Sequence, residues 1–138
     1  MTQVHNGASL FNIGQAAARS GVSSKMVRHY ESLGLLPDVP RTEAGYRQYG
    51  ETQVHTLSFI RRARSLGFSM AEIAELLKLW QNQHRASADV KRIALAHVKD
   101  LERRIAEMTT MKQTLQQLAH DCAGDNRPGC TILSGLAE

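Results

Sequence analysis

Ile13-Gly14-Gln15-Ala16-Ala17-Ala18-Arg19-Ser20, Gly21-Val22, Ser23, and then Ser24 through Leu33 to Gly34 form the stretch that decides the fold. The first eight residues are an Ala-rich helix candidate that stops at Gly21-Val22. Ser23 offers an N-cap, residues 24–33 make a second helix, and Gly34 supplies the C-terminal stop. Two short helices across a Gly-containing turn make a helix-turn-helix candidate. The second would be the recognition helix, with Ser23, Ser24, Lys25 and Arg28 near its leading end, where side chains meet phosphates or base edges in the major groove. A plain helical hairpin with a solvated basic face fits the same residues.

The residues that follow favour DNA. Pro37 and Pro40 break the helix, and Arg41-Thr42-Glu43-Ala44-Gly45-Tyr46-Arg47-Gln48-Tyr49 alternates around a Gly-bearing turn, as a two-stranded wing does. Arg41 and Arg47 can reach phosphates, while Tyr46 and Tyr49 bring hydroxyls and flat apolar surfaces. Tyr30 joins them if it projects from the recognition helix. The other role open to these tyrosines is to close a small core.

Further along, residues 51–66 place Val54, Leu57, Ile60 and Ala63 on one helical face beside the Arg61-Arg62-Ala63-Arg64 cluster, and Gly67 ends the helix. Ser69-Met70-Ala71-Glu72 is a capping-box pattern opening another helix with Ile73, Leu76, Leu77 and Trp80 as its stripe. After a polar connector, residues 88–119 contain neither Gly nor Pro. Ala94, Val98, Leu101, Ile105, Met108, Met111, Leu115 and Leu118 recur there at steps of four, three, four, three, three, four and three, a coiled-coil stripe. Such a helix is too long to bury its stripe on so small a chain, so a second copy is the economical partner.

The 138 residues suffice for one domain plus an extension, and 42% hydrophobic content supports a folded core. The net charge is +4, and residues 11–66, with eight basic side chains against four acidic ones, already carry that excess. Residues 1–10 lack sustained periodicity and read as a flexible lead-in. No Gly-rich phosphate loop or nucleophile motif is visible, and the six histidines are scattered, so an enzyme is not expected.

Cys122 and Cys130, the only two cysteines, flank a loop that includes Gly124, Pro128 and Gly129. Soft thiolates favour soft ions such as Cu(I), whereas structural Zn(II) collects four ligands. A monovalent closed-shell ion accepts two sulfurs in a line, leaving about one negative charge on the assembly. The pair therefore reads as a sensor for a monovalent coinage metal. A disulfide or two unrelated thiols are the alternatives, and loop geometry permits a bridge. The compartment argues against it: no apolar signal segment or membrane-length run is present, the expected location is cytoplasmic, and cytosolic thiols are kept reduced.

These features together resemble the MerR family of transcriptional regulators and, within it, the CueR-like, copper-type branch. The resemblance runs from about Phe11 to Leu136. It is carried by Phe11-Asn12-Ile13-Gly14-Gln15-Ala16-Ala17, by Val27-Arg28-His29-Tyr30-Glu31-Ser32-Leu33-Gly34-Leu35-Leu36, by Gly45-Tyr46-Arg47-Gln48-Tyr49, and by Arg61-Arg62-Ala63-Arg64-Ser65-Leu66-Gly67-Phe68-Ser69. Copper-type members have a Cys-x7-Cys loop, matched by Cys122 and Cys130, and a serine opening the dimerisation helix, matched by Ser87 in Ser87-Ala88-Asp89-Val90-Lys91-Arg92. In members that sense divalent ions a third cysteine stands at that serine. The lead-in and the lack of a Cys- and His-rich tail are departures from the pattern.

The resemblance implies a mainly α chain: a winged helix-turn-helix DNA-binding region over residues 11–80, a connector and long antiparallel coiled-coil dimerisation helix over 81–119, and a metal-binding loop with C-terminal tail over 120–138. It implies a homodimer, not an enzyme and not bound to membrane, that sits on a palindromic promoter operator and works with RNA polymerase. One Cu(I), Ag(I) or Au(I) per loop would be held by Cys122 and Cys130, with Ser87 contributed by the partner subunit. Metal would shift the dimer to a form that bends and untwists the DNA and activates genes for metal export or detoxification. A thiol/disulfide redox regulator of the same fold is the alternative.

Overall fold

The computed structural model describes residues 10–36 and 39–138. The lead-in, apart from Leu10, and the break at Pro37 lie outside the described residues. Six helices follow in order: α1 Ile13–Ser20, α2 Ser24–Ser32, α3 Glu51–Ser65, α4 Met70–Gln81, α5 Ser87–Asp121 and α6 Thr131–Ala137. The chain divides into two compact units, residues 1–90 and 91–138.

Local chemistry sets the boundaries in the first unit. Asn12 caps α1 in a reciprocal capping box, its Oδ1 accepting from the Gln15 amide at 2.8 Å while the Gln15 side chain accepts from the Asn12 amide at 2.9 Å. Gly21 ends α1 in the left-handed region at φ +76°, where a side chain would be strained. Ser23 caps α2 by accepting from the Met26 amide at 3.2 Å. Ser69 and Glu72 close the capping box at the start of α4, each accepting from the other's backbone amide.

The buried residues follow from helical periodicity. Val54, Leu57, Ile60 and Ala63 all point inward from α3, and pack with Ala16, Val27, Tyr30, Ile73 and Leu77 in one cluster. α3 is the central post of this unit, contacting α1 on one side and α4 on the other. Beside the α3–α4 contact, Phe59 and Trp80 stack with ring centroids 4.6 Å apart.

The expected two-stranded wing is present in reduced form. Arg41 and Arg47 form one isolated antiparallel bridge, and a turn joins them in which the Thr42 amide donates to the Tyr46 carbonyl at 2.7 Å and Gly45 takes φ +90°. The chain then zips to the residue ahead of α1: Phe11 and Tyr49 exchange backbone hydrogen bonds of 2.6 and 2.8 Å. Among the described residues this short hairpin does not lengthen into a strand ladder.

The second unit contains most of α5. At 35 residues, this helix is about 52 Å long at 1.5 Å per residue. Beyond it the expected loop is followed by α6, a seven-residue helix, where the sequence alone suggests a tail. α6 lies against α5: a Cβ added at Gly135 would collide with the Leu118 side chain.

Candidate functional site

The helix-turn-helix presents its basic face from two elements. Lys25 and Arg28 are exposed on α2, Ser24 is half-buried, and Ser23 is exposed with its hydroxyl engaged in the cap. Across from them the hairpin carries Tyr46, exposed by 74%, and half-buried Arg47. Arg28, Tyr46 and Arg47 line a shared shallow cleft of about 170 Å³ with Asn12, Ile13 and Gly45. Arg41 is exposed, and its guanidinium donates to the Gly45 carbonyl at 3.0 Å, which braces the turn.

Two tyrosines take the other role open to them. Tyr49 is fully buried and Tyr30 is 4% exposed, so both rings belong to the core. This corrects their placement against DNA: each sits where it closes the small hydrophobic cluster, and neither ring offers a free face to a backbone.

Glu31, on the last turn of α2, joins the helix to the hairpin. One carboxylate oxygen accepts from Arg47 Nε at 2.8 Å and the other from the Tyr49 hydroxyl at 2.8 Å. Burial pushes the Tyr49 phenol up to about 12, with the hydrogen bond to Glu31 adding to it. That same carboxylate, through its hydrogen bond and its charge, raises the Arg47 guanidinium above its ordinary value. Sequence reading missed Glu31, because its partners lie 16 and 18 positions away. The available clue is an acid standing amid a basic recognition surface. Arg61 was missed in the same way: its Nε donates to the Ser20 carbonyl at 3.0 Å and holds the end of α1 against α3.

In the second unit, Cys122 follows the last residue of α5 and Cys130 immediately precedes α6, so the two helices hold the ends of the loop. The two thiols are unbonded and half-buried, and their sulfurs face each other at 3.8 Å. The Thr131 hydroxyl donates to the Asp121 carbonyl at 3.0 Å, tying the loop's two ends together. Backbone amides at the start of α6, first that of Leu133, hold the Cys130 thiol below its ordinary pKa, and the Cys122 thiol adds to this.

The donor set is soft. Both Asp121 carboxylate oxygens accept from the Gln117 amide at 3.1 Å, and Asp125 is paired with Arg127, whose side chain is the first cause of the lowered Asp125 pKa. Among the described residues no group of three or more His, Cys, Asp or Glu could hold an ion. At a metal–sulfur length of about 2.3 Å, two sulfurs in line stand roughly 4.6 Å apart, whereas a disulfide needs about 2.05 Å. The observed spacing lies nearer the first, so the residues fit a two-sulfur ion after an outward shift of under about 1 Å.

Comparison with known proteins agrees with this organisation. Residues 11–80 match the family described as MerR HTH family regulatory protein, and residues 54–118 match that described as MerR, DNA binding. The chain belongs to the MerR family of regulators.

Among its MerR relatives is heavy metal-dependent transcription regulator 2 of Rhizobium meliloti, 55% identical over 127 residues that cover 92% of this chain and 86% of the relative. The HTH-type transcriptional regulator CueR of Salmonella typhimurium is 39% identical over 126 residues, covering 91% of each. These likenesses support the CueR-like branch. A crystal structure of a transcription regulator from Ralstonia metallidurans in complex with lead(II) superposes with a TM-score of 0.80 at 30% identity, covering 91% of this chain and 98% of that one. By the descriptions of both matched families, the chain is a DNA-binding regulator. Among the described residues no helix is long and apolar enough to cross a membrane.

Proposed function

We propose that this MerR regulator is a cytoplasmic transcriptional activator that binds Cu(I), Ag(I) or Au(I) through Cys122 and Cys130, one ion per loop, and controls genes for export or detoxification of that metal. The observation that carries the reading is the pair of unbonded sulfurs 3.8 Å apart, with the neighbouring acids already engaged elsewhere. Two thiolates and one monovalent cation leave about one negative charge, which a divalent ion would cancel without completing its usual ligand number.

The division of labour follows the chain. Residues 11–80 bind a palindromic operator through Ser24, Lys25, Arg28, Arg41, Tyr46 and Arg47, with Ser23 at the start of the recognition helix. Residues 81–119 pair two subunits in antiparallel fashion, and residues 120–138 hold the metal. Ser87, the first residue of α5, comes from the partner subunit to lie over the metal loop, where a hydroxyl in place of a third thiolate disfavours divalent ions. Metal binding favours the form of the dimer that bends and untwists the promoter, and it can do so only because that form holds the ion more tightly.

The test is a chelator competition under strictly reducing conditions with Cu(I), Ag(I), Au(I), Zn(II) and Pb(II), read together with transcription from purified components. The monovalent ions bind more tightly than the divalent ones and activate. Cys122→Ser and Cys130→Ser each abolish activation and leave operator binding nearly intact. Full activation in either variant would sink the assignment. The depressed Cys130 thiol and its short distance to Cys122 favour a second reading, a disulfide switch. Activation by oxidant in the absence of metal, with loss of two titratable thiols, would identify it.

A further inference from the structure

The contacts of Glu31 have a sign that charge alone does not explain. Glu31 places a negative charge at the end of the recognition helix, beside the cleft lined by Arg28 and Arg47. Against a polyanion this charge is repulsive, so bulk electrostatics predicts that removing it tightens DNA binding. Its geometry points the other way. Glu31 uses both carboxylate oxygens, one on Arg47 Nε at 2.8 Å and one on the Tyr49 hydroxyl at 2.8 Å.

Tyr49 is itself fixed. Its ring is fully buried, and its backbone is zipped to Phe11 just ahead of α1. Glu31 is thus anchored to the core through one oxygen and grips Arg47 through the other. The grip takes the Nε–H, one of five guanidinium donors, so the terminal nitrogens retain the fork that suits a phosphate. Among the described residues, Arg47 sits in a short hairpin that forms a single antiparallel bridge, opposite Arg41. Without a support, its long side chain would lose rotamer freedom on meeting DNA, a cost that pre-organisation removes.

We infer that Glu31 is a positioning residue for DNA binding: it locks Arg47 of the hairpin onto the recognition helix so that both elements engage the duplex as one surface. This rests on the reading that Arg47 meets the DNA backbone. The residue works through another side chain, and its effect exists only while Arg47 is present.

The experiment is operator binding across a salt series for the full-length dimer as Glu31→Ala, Glu31→Gln, Arg47→Ala and the Glu31→Ala/Arg47→Ala double variant, with thermal unfolding measured in parallel. Arg47→Ala weakens binding and makes the log–log salt dependence shallower by about one unit. Glu31→Ala weakens binding several-fold, roughly 3- to 10-fold for one lost charge-assisted contact. Glu31→Gln, which keeps an oxygen able to accept from Arg47, loses less. In the Arg47→Ala background, Glu31→Ala has no further effect. Tighter or unchanged binding by Glu31→Ala in the parent background would overturn the inference, as would an equal loss in both backgrounds, which is the mark of a purely structural residue. Unchanged binding by Arg47→Ala across the salt series would instead overturn the DNA-contact reading beneath it.

Discussion

The two units of this chain handle apolar surface in opposite ways. In the first, Leu57, Ile60, Ile73 and Tyr49 are fully buried, and caps, a buttressed arginine and the Phe11–Tyr49 zip leave the helices fixed by contacts within the same unit. In the second, Val98, Ile105, Met108, Met111 and Leu115 stand exposed along α5, and α6 adds exposed Leu133 and Leu136 with no buried residue of its own. At seven residues, α6 is too short to cover one face of the 35-residue α5. The first unit packs a core of its own, whereas the second leaves an apolar stripe open along α5.

The largest expected effect breaks that comparison at its weaker side. In an Ile105→Asp/Met108→Asp variant, each subunit loses two side chains from the stripe, each worth roughly 1.5–3 kcal/mol when buried, and gains two charges in an apolar seam. The dimer falls to monomer by light scattering at concentrations where the parent is fully paired, while the first unit keeps its cooperative unfolding. Persistence of the dimer would show that the stripe is not the seam. Ile105 is 63% and Met108 68% exposed in the single chain, so a monomer pays little for either change.

How legible each unit was follows the same division. Helix punctuation is local, so Gly21, Ser23, Gly34 and the Ser69–Glu72 box marked α1, α2 and α4 to within a residue or two, and the 3.6-residue period picked out the four buried apolar residues of α3 but not buried Gln53 and Thr56. The unbroken run from 88 to 119 announced α5 for the same reason. What stayed hidden is whatever depends on residues distant in sequence. Glu31 and Arg61 act through partners 16 and 41 positions away. Tyr30 and Tyr49 carry no local mark distinguishing a ring that stacks on DNA from one that fills a core. In α6, Thr131, Ser134 and Gly135 are weak helix formers, and seven residues are too few to show a period. Cys122 and Cys130 were conspicuous as a pair, but their 3.8 Å separation comes from the helices that end and begin beside them.

An intermediate effect sharpens the comparison on the first unit's side. The folded Tyr49 phenol is pushed up to about 12, above the ~10 of an unfolded tyrosine. The stability that depends on its neutral form is complete below pH ~10 and is lost as pH rises toward the folded value. Tyr49→Phe removes both the hydroxyl's bond to Glu31 and its ionisation. The variant is less stable than the parent at pH 8, by about 1–3 kcal/mol for a hydrogen bond to a charged group, and the gap narrows on approach to pH 12. Urea midpoints of parent and variant at the two pH values measure this. A constant gap across the range would mean that the phenol titrates without reference to the core.

The smallest effect is expected where the second unit packs against itself. Gly135 lies on α6, and a Cβ there would press on the δ-methyls of Leu118 from α5. In a tightly filled core such a contact costs about 1–3 kcal/mol. Here the obstructing atoms are the far end of a flexible side chain that is only half-buried, and a changed Leu118 rotamer costs roughly 0.5–1.5 kcal/mol. Alanine returns about 0.8–1 kcal/mol over glycine within a helix. The two changes nearly cancel, so Gly135→Ala leaves the unfolding midpoint and the metal affinity of the dimer close to those of the parent. A tenfold loss of metal affinity would show that α6 is seated on Leu118 without slack. The adjoining Cys130 would then be placed by a rigid contact, and the second unit would match the first in the precision of its internal packing.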